Sequence, residues 1–226
     1  MRTYDHFCVL ARALERVGDR WSLLVVRDLL TGPKRFTDLM DRLGGLTPKT
    51  LTQRLRELQD CGVVVADRQP GRREVRYALT PAGAELAPAV DALSWWGLRY
   101  AWRPPRPGEP LHPEHLLRAI AEVINRTGDD HAPARWHFRF RDAGEFALHS
   151  DGHGWALAAP DPGSRPDVTI TATAAAAVTR FVADPSPERA AELDIDLRGD
   201  APALRRFERL LGTFATAAGS TLRSDL

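Results

Sequence analysis

Four prolines stand within seven residues, from Pro104 to Pro110, inside the segment RPPRPGEPLHP that runs from Arg103 to Pro113. Proline fixes φ and has no backbone N–H, so neither a helix nor a central strand continues through such a run, and an extended, semi-rigid spacer is what remains. The segment predicts two domains, 1–102 and 114–226, joined by a linker at 103–113, and a chain of 226 residues lets each bury its own core. Charge divides at the same place. Residues 1–103 carry 17 Lys/Arg against 12 Asp/Glu, whereas residues 104–226 carry 14 against 18, so the two parts suit different partners.

Several classes fall away on composition. With 43% hydrophobic and 27% charged residues the chain reads as globular. No apolar run approaches the ~18 residues of a membrane span, and the N-terminus lacks the apolar core of a signal peptide, so a soluble, cytoplasmic protein without a membrane partner is expected. Cys8 and Cys61 are the only cysteines and show no CxxC or Cys/His spacing, which leaves no disulfide framework and no structural metal. His112, His115, His131, His137, His149 and His153 are scattered over loops, strands and one helix start, with no HExxH, GxSxG, P-loop or GxGxxG motif. Alternation in two strands would put His137 and His149 on a common face, where they read as ordinary polar positions. Neither an enzyme nor a cofactor is expected.

In the first half, CVLARALERVG, DRWSLLVVRDLLTGP and RFTDLMDRLGG read as three short helices, the second and third broken by Gly32-Pro33 and Gly44-Gly45. A fourth helix opens at Thr47 as N-cap and Pro48 as first residue, with Leu51, Leu55 and Leu58 on its buried stripe. Opposite that stripe stand Lys49, Gln53 and Arg56, flanked by Thr50 and Thr52. Such donors reach phosphates and base edges, but any solvated helix carries them, and the helix alone leaves both readings open. Two β-rich runs follow, VVVAD and EVRYALT, around a turn with Arg72 and Arg73 at its tip. A hairpin directly after a helix-turn-helix is the winged arrangement, and it shifts the balance toward DNA binding.

These residues also carry a resemblance. VGDRWSLLVVRDLLTGPKRFTDL, GGLTPKTLTQRLRELQDCGVV, EVRYALTPAG and Trp96-Gly97 are similar to the HxlR family of winged-helix regulators, relatives of the MarR type, over roughly residues 7–100. The resemblance implies a transcription factor that binds double-stranded DNA, a palindromic operator, as a homodimer. DNA contacts would come from Arg35, Thr47, Pro48, Lys49, Thr50, Thr52, Gln53, Arg54, Arg56, Arg72 and Arg73. One long helix after TPAG, from Ala82 to about Ala101, would pair the protomers through Leu86, Val90, Leu93 and Trp96, extended by Trp102. Some members of the family use a cysteine near position 8 as an oxidation switch; here Val9 follows Cys8 where the family usually has proline, and two inert thiols are the alternative.

The second half reads as α+β: a helix through Leu116, Leu117, Ile120 and Ile124, then the strands WHFRFRD, EFALHS, GWALAAP and VTITAT, a helix stopped at Pro185, a short helix near Glu188–Glu192, the strand DIDLRG and a last helix, ALRRFERLLGTF. An antiparallel sheet with helices on one face is expected. The order PDVTITATAAAAVTRFVADP then DIDLRGDAPALRRFERLLGTF resembles the sterol-carrier-protein type 2 (SCP-2-like) domain, in which a late strand with a Gly-Asp pair leads into a helix closing an apolar tunnel. The resemblance implies a hydrophobic or amphipathic small-molecule effector lined by Trp136, Phe138, Phe140, Phe146, Trp155, Phe181, Phe207 and Phe214. These aromatics filling a solid core is the other reading. Two alternatives to an effector-responsive regulator stay open: a constitutive or thiol-redox-governed regulator whose second domain only mediates contacts, and a lipid-binding protein without specific DNA binding.

Overall fold

The computed structural model describes residues 3–67, 74–103, 105–106, 108–127 and 130–219. It divides into two compact units between Ala92 and Leu93.

The first unit begins with α1 (Val9–Val17), α2 (Ser22–Leu29), a two-residue strand β1 (Lys34–Arg35), α3 (Phe36–Leu43) and α4 (Pro48–Asp60). Strands β2 (Val64–Asp67) and β3 (Arg76–Leu79) follow, then α5 (Pro81–Ala84) and the start of α6 (Ala87–Tyr100). The strands pair antiparallel in the order β1-β3-β2. Val25, Val26 and Leu29 of α2, Leu39 of α3 and Leu51, Leu55 and Leu58 of α4 are at most 3% exposed and form one core. Burial of each such side chain contributes about 1.5–3 kcal/mol. Within this core sits a charge: Asp28, fully buried, accepts from Arg27 Nη2 at 3.1 Å and from Arg42 Nε at 3.0 Å, tying α2 to α3.

Thr80 joins the end of β3 to the loop before β2. Its Oγ1 donates to Gly62 O at 2.6 Å and accepts from Gly83 N at 3.0 Å, capping α5. A Cβ on Gly83 would stand 2.1 Å from Val63 O, so the backbones touch where only glycine fits. The single helix expected from Ala82 is two, α5 and α6, because Pro88 has no N–H to give and is tolerated only in a first turn.

The second unit holds the end of α6 and α7 (Pro113–Thr127), β4 (Ala134–Phe140), β5 (Gly144–Ser150), β6 (Trp155–Ala158), β7 (Val168–Ala172), α8 (Ala175–Phe181), α9 (Pro187–Glu192), β8 (Ile195–Gly199) and α10 (Ala201–Gly219). The division falls inside α6, upstream of the proline segment, because Trp95, Leu98 and Trp102 find their apolar partners in this second core. The sheet order is β6-β5-β4-β7-β8. The expectation of an antiparallel sheet is corrected: β4 and β7 pair in parallel, Trp136 beside Val168 and Phe138 beside Ile170, so the sheet is mixed. Short turns announce the hairpins among β4, β5 and β6, whereas a parallel pair needs a long crossover, here everything from β5 to the β6–β7 connection.

Alternation sorts the sheet's two faces. Trp136, Phe138, Leu148, Val168 and Ile170 face α7 and α10, where Phe207, Leu210, Leu211 and Phe214 recur at helical spacing and are fully buried. Asn125 of α7 donates to Trp155 O at 2.9 Å and accepts from Trp155 N at 2.7 Å, fixing α7 on β6. Arg206 and Arg209 of α10 meet Asp130 at 2.9 and 2.6 Å. Gly199 admits no Cβ, which would lie 2.6 Å from Asp167 O, and Asp200 accepts from Ala203 N at 2.8 Å to cap α10. Among the described residues no helix is long and apolar enough to cross a membrane.

Candidate nucleic-acid interface

Local chemistry sets the angle between α3 and α4. Gly44 and Gly45 both take positive φ, 54° and 59°, a region that penalises any side chain, and so reverse the chain after α3. Thr47 Oγ1 accepts from Thr50 N at 3.2 Å and Pro48 occupies the first turn, which starts α4 where the sequence expects it. With Leu51, Leu55 and Leu58 at most 1% exposed, the opposite face is open.

On that face Lys49, Thr52, Gln53 and Arg56 are exposed, and no ion pair holds Lys49 or Arg56 among the described residues. Gln53 Nε2 donates to Glu57 Oε1 at 3.0 Å, a solvent-facing bond that a base edge can replace. Thr47 and Thr50 are committed to the cap, and Thr52 Oγ1 bonds back to Pro48 O at 2.8 Å. Pro48 and Arg35 are also exposed, and Arg35 pairs with Glu74 near the base of the wing. Arg54 lies elsewhere: its side chain is 13% exposed and pairs with Asp19 at 3.0 Å and Glu57 at 2.6 Å, beside a pocket of about 740 Å³ that Tyr4, Leu14 and Gln53 also line. Arg72 and Arg73 fall outside the described residues.

The sequence reading did not single out Asp28, although it falls on the buried stripe, four residues after Leu24 and three after Val25, where a carboxylate needs cations. Arg42 supplies one from α3. Cys8 and Cys61 are free and half-buried, and Cys61 Sγ donates to Leu58 O at 3.5 Å.

The residues expected to pair protomers are split. Leu86 and Val90 pack into the first core, and Trp102 into the second, edge-on to Phe214 at 5.7 Å between centroids. Leu93, Trp96 and Tyr100 remain as an outward stripe, 54%, 58% and 54% exposed, with Trp96 and Tyr100 in ring contact.

In the second unit the aromatics expected around a ligand stack on one another. Trp136 lies 4.0 Å from Trp155 and 4.8 Å from Phe207 between ring centroids, and Phe181 stacks on Phe207. Trp136, Phe138, Phe181, Phe207 and Phe214 are at most 1% exposed, Phe140 and Trp155 are also buried, and Phe146 is half-buried, in contact with Phe140. A separate groove of about 470 Å³ opens beside them, with Leu98, Trp102, Leu111 and Leu116 for its apolar wall and His112 and His115 at its rim.

The model of HxlR-like helix-turn-helix proteins matches residues 16–104. An HTH-type transcriptional regulator of Mycobacterium tuberculosis is 43% identical over 109 residues, 47% of this chain and 66% of the relative. One from Methanothermobacter thermautotrophicus is 32% identical over 106 residues, 46% of this chain and 81% of the relative. Among solved structures, the redox regulator HypR in its oxidized form is 30% identical, covering 40% of this chain and 94% of that one, with a TM-score of 0.39. The relatives are transcriptional regulators and not enzymes. Over its first unit and α6, the chain belongs to the HxlR-like helix-turn-helix family.

Proposed function

We propose that this HxlR-type regulator acts in the cytoplasm as a homodimer that reads an inverted-repeat operator through α4. The observation that carries the reading is the open face of α4, where Lys49, Gln53 and Arg56 project opposite Leu51, Leu55 and Leu58, with both cations unengaged by acids among the described residues. Phosphate contacts from Lys49 and Arg56 set the register, and Gln53 carries base discrimination. Two such helices reach successive major grooves only when a dimer holds them about one helical turn apart. The exposed stripe Leu93, Trp96 and Tyr100 supports a dimer through α6, since an apolar helical face gains from a symmetric copy of itself.

The second unit is read as an SCP-2-like effector domain. In support, β7 runs directly into α8, and β8 ends at Gly199-Asp200 and leads into α10, which covers the aromatic face. Because the aromatics pack ring on ring, the effector is assigned to the groove of Leu98, Trp102, Leu111 and Leu116, whose volume suits a hydrophobic small molecule. That groove is lined partly by the same helix, α6, that carries the dimer stripe, and this supplies a route by which occupancy biases the DNA-binding form. Selection of bound fragments from a random duplex library tests the core of the proposal. An enriched inverted repeat supports it, and recovery of unenriched DNA that Gln53→Ala binds equally well refutes it.

A further inference from the structure

The sheet's other face, away from α7 and α10, carries Arg135, His137 and Arg139 on β4 and Glu145, Ala147 and His149 on β5. Most of it is solvated and charged. One corner differs. Arg135 stands opposite His149, and His137 opposite Ala147, which in turn pairs with Ala158 of β6. The two alanines leave a hollow between the histidines and the strand edge. The chain leaving β6 turns beside this hollow through Ala159, Asp161 and Ser164, bounding an open pocket of about 180 Å³. The turn is held by its own bonds: Asp161 Oδ1 accepts from Gly163 N at 3.0 Å, and Ser164 Oγ donates to Asp161 O at 3.0 Å.

His137 is only 6% exposed and lines this pocket, and its imidazole makes no hydrogen bond among the described residues. His149 Nδ1 is buried and likewise without a partner. A buried imidazole nitrogen without a partner, on a residue that lines a hollow, is unusual, because buried polar groups ordinarily find partners. Arg135 adds a cation that is only loosely engaged, 3.9 Å from Asp161. Its backbone is fixed, with Arg135 N donating to Asp167 Oδ2 at 2.7 Å, so the guanidinium leaves a rigid strand.

We propose that Arg135, His137 and His149 form a binding site for a small monocarboxylate on the outer face of the sheet, distinct from the apolar groove. The imidazole N–H groups and the guanidinium are the donors that a carboxylate's oxygens accept from. The small alanines receive a short apolar tail, and the volume is below that of pockets for drug-sized ligands. Asp161 at the rim disfavours a second negative charge, which selects a monocarboxylate over a dianion. Burial, with Arg139 and Arg135 nearby, lowers the His137 pKa, while Glu145 and Asp161 oppose this. A bound carboxylate adds negative charge beside the ring and favours its protonation, so binding takes up a proton and strengthens as pH falls toward the range of imidazole titration.

The test uses the full-length protein, uniformly ¹⁵N-labelled, with imidazole resonances followed during titration with propionate, benzoate, inorganic phosphate and propionamide. Saturable shifts of His137 and His149 with the monocarboxylates, weakened at least about tenfold in Arg135→Met and in His149→Phe, are expected. Propionamide should leave the resonances in place. Unchanged imidazole resonances with propionate and benzoate would overturn the assignment. So would equal binding of phosphate, which would make the corner a general anion site. Arg135 is half-exposed, so its replacement tests binding even if a histidine variant folds poorly.

Discussion

Arg54 Nη1 lies 3.0 Å from Asp19 Oδ2, so a side chain of α4 reaches back to the loop between α1 and α2 instead of outward. Arg54 and Gln53 are neighbours in sequence with opposite settings, one ion-paired and mostly buried, the other solvent-facing. Arg54→Ala is expected to lower stability by about 1–3 kcal/mol, the scale of charge-assisted bonds in a partly buried setting, and to weaken specific and random DNA alike. Gln53→Ala should leave the urea midpoint nearly unchanged while removing about 1–3 kcal/mol of discrimination between operator and random duplex. Fluorescence anisotropy beside urea denaturation separates the two.

Asp28 is a fully buried acid of the first unit. Asp28→Ala leaves Arg42 without its buried carboxylate, and removing one partner of a buried pair costs about 3–5 kcal/mol. Equilibrium unfolding should show this as a lower midpoint with an unchanged slope. Loss of DNA binding without loss of stability would instead make Asp28 part of the interface.

Leu93, Trp96 and Tyr100 form a stripe that folding leaves uncovered, and the proposed dimer would bury it. Trp96→Ala should weaken self-association by about 2 kcal/mol or more while barely affecting the fold, as truncation of a central aromatic does. Sedimentation velocity reads the change. The footprint should be two half-sites with centres about 10 bp apart or a multiple of that.

Much of this was written locally. Gly44-Gly45, Thr47 and Pro48 announce the turn and the start of α4 within five residues, and the leucine spacing fixes its buried side. The alternation of β4 places Trp136 and Phe138 inward without any knowledge of partners. What escaped reading depends on distant pairing. β1 is two residues that become a strand only because β3 passes beside them, and the parallel contact of β4 with β7 has no turn to signal it. Arg54 looked like its exposed neighbours because Asp19 approaches it only in the folded chain. The hollow beside His137 and His149 is made by alanines on two other strand positions and a turn, which no local pattern announces.

The apolar groove predicts a stabiliser. Thermal shift of the full-length protein against fatty acids, polyketides and sterol-like compounds should find one, and a ligand at about 100 times its Kd adds roughly 2.7 kcal/mol. Leu116→Trp, which fills the groove, should abolish that shift and any effect on operator binding, yet leave operator affinity itself within about tenfold.

Asp130 sets an acid limit on the second unit. Burial raises its pKa, but bonds from Arg206 and Arg209 outweigh this and hold it below the usual carboxylate value. A depressed folded pKa means the ionised form is favoured in the native state, so its stabilisation is complete above the unfolded value of about 4 and is lost as pH falls through the lower folded one. The urea midpoint of the wild type should fall below about pH 4 more steeply than that of Asp130→Asn.

The 2.1 Å that a Cβ on Gly83 would leave to Val63 O bears on heredity as well as on packing. Every single-nucleotide missense change of a glycine codon adds at least that carbon, so this position has no neutral neighbours in sequence space. A lineage carrying this fold drifts freely at exposed sites such as Glu188, but it can leave glycine at position 83 only by first rebuilding the entrance to β2.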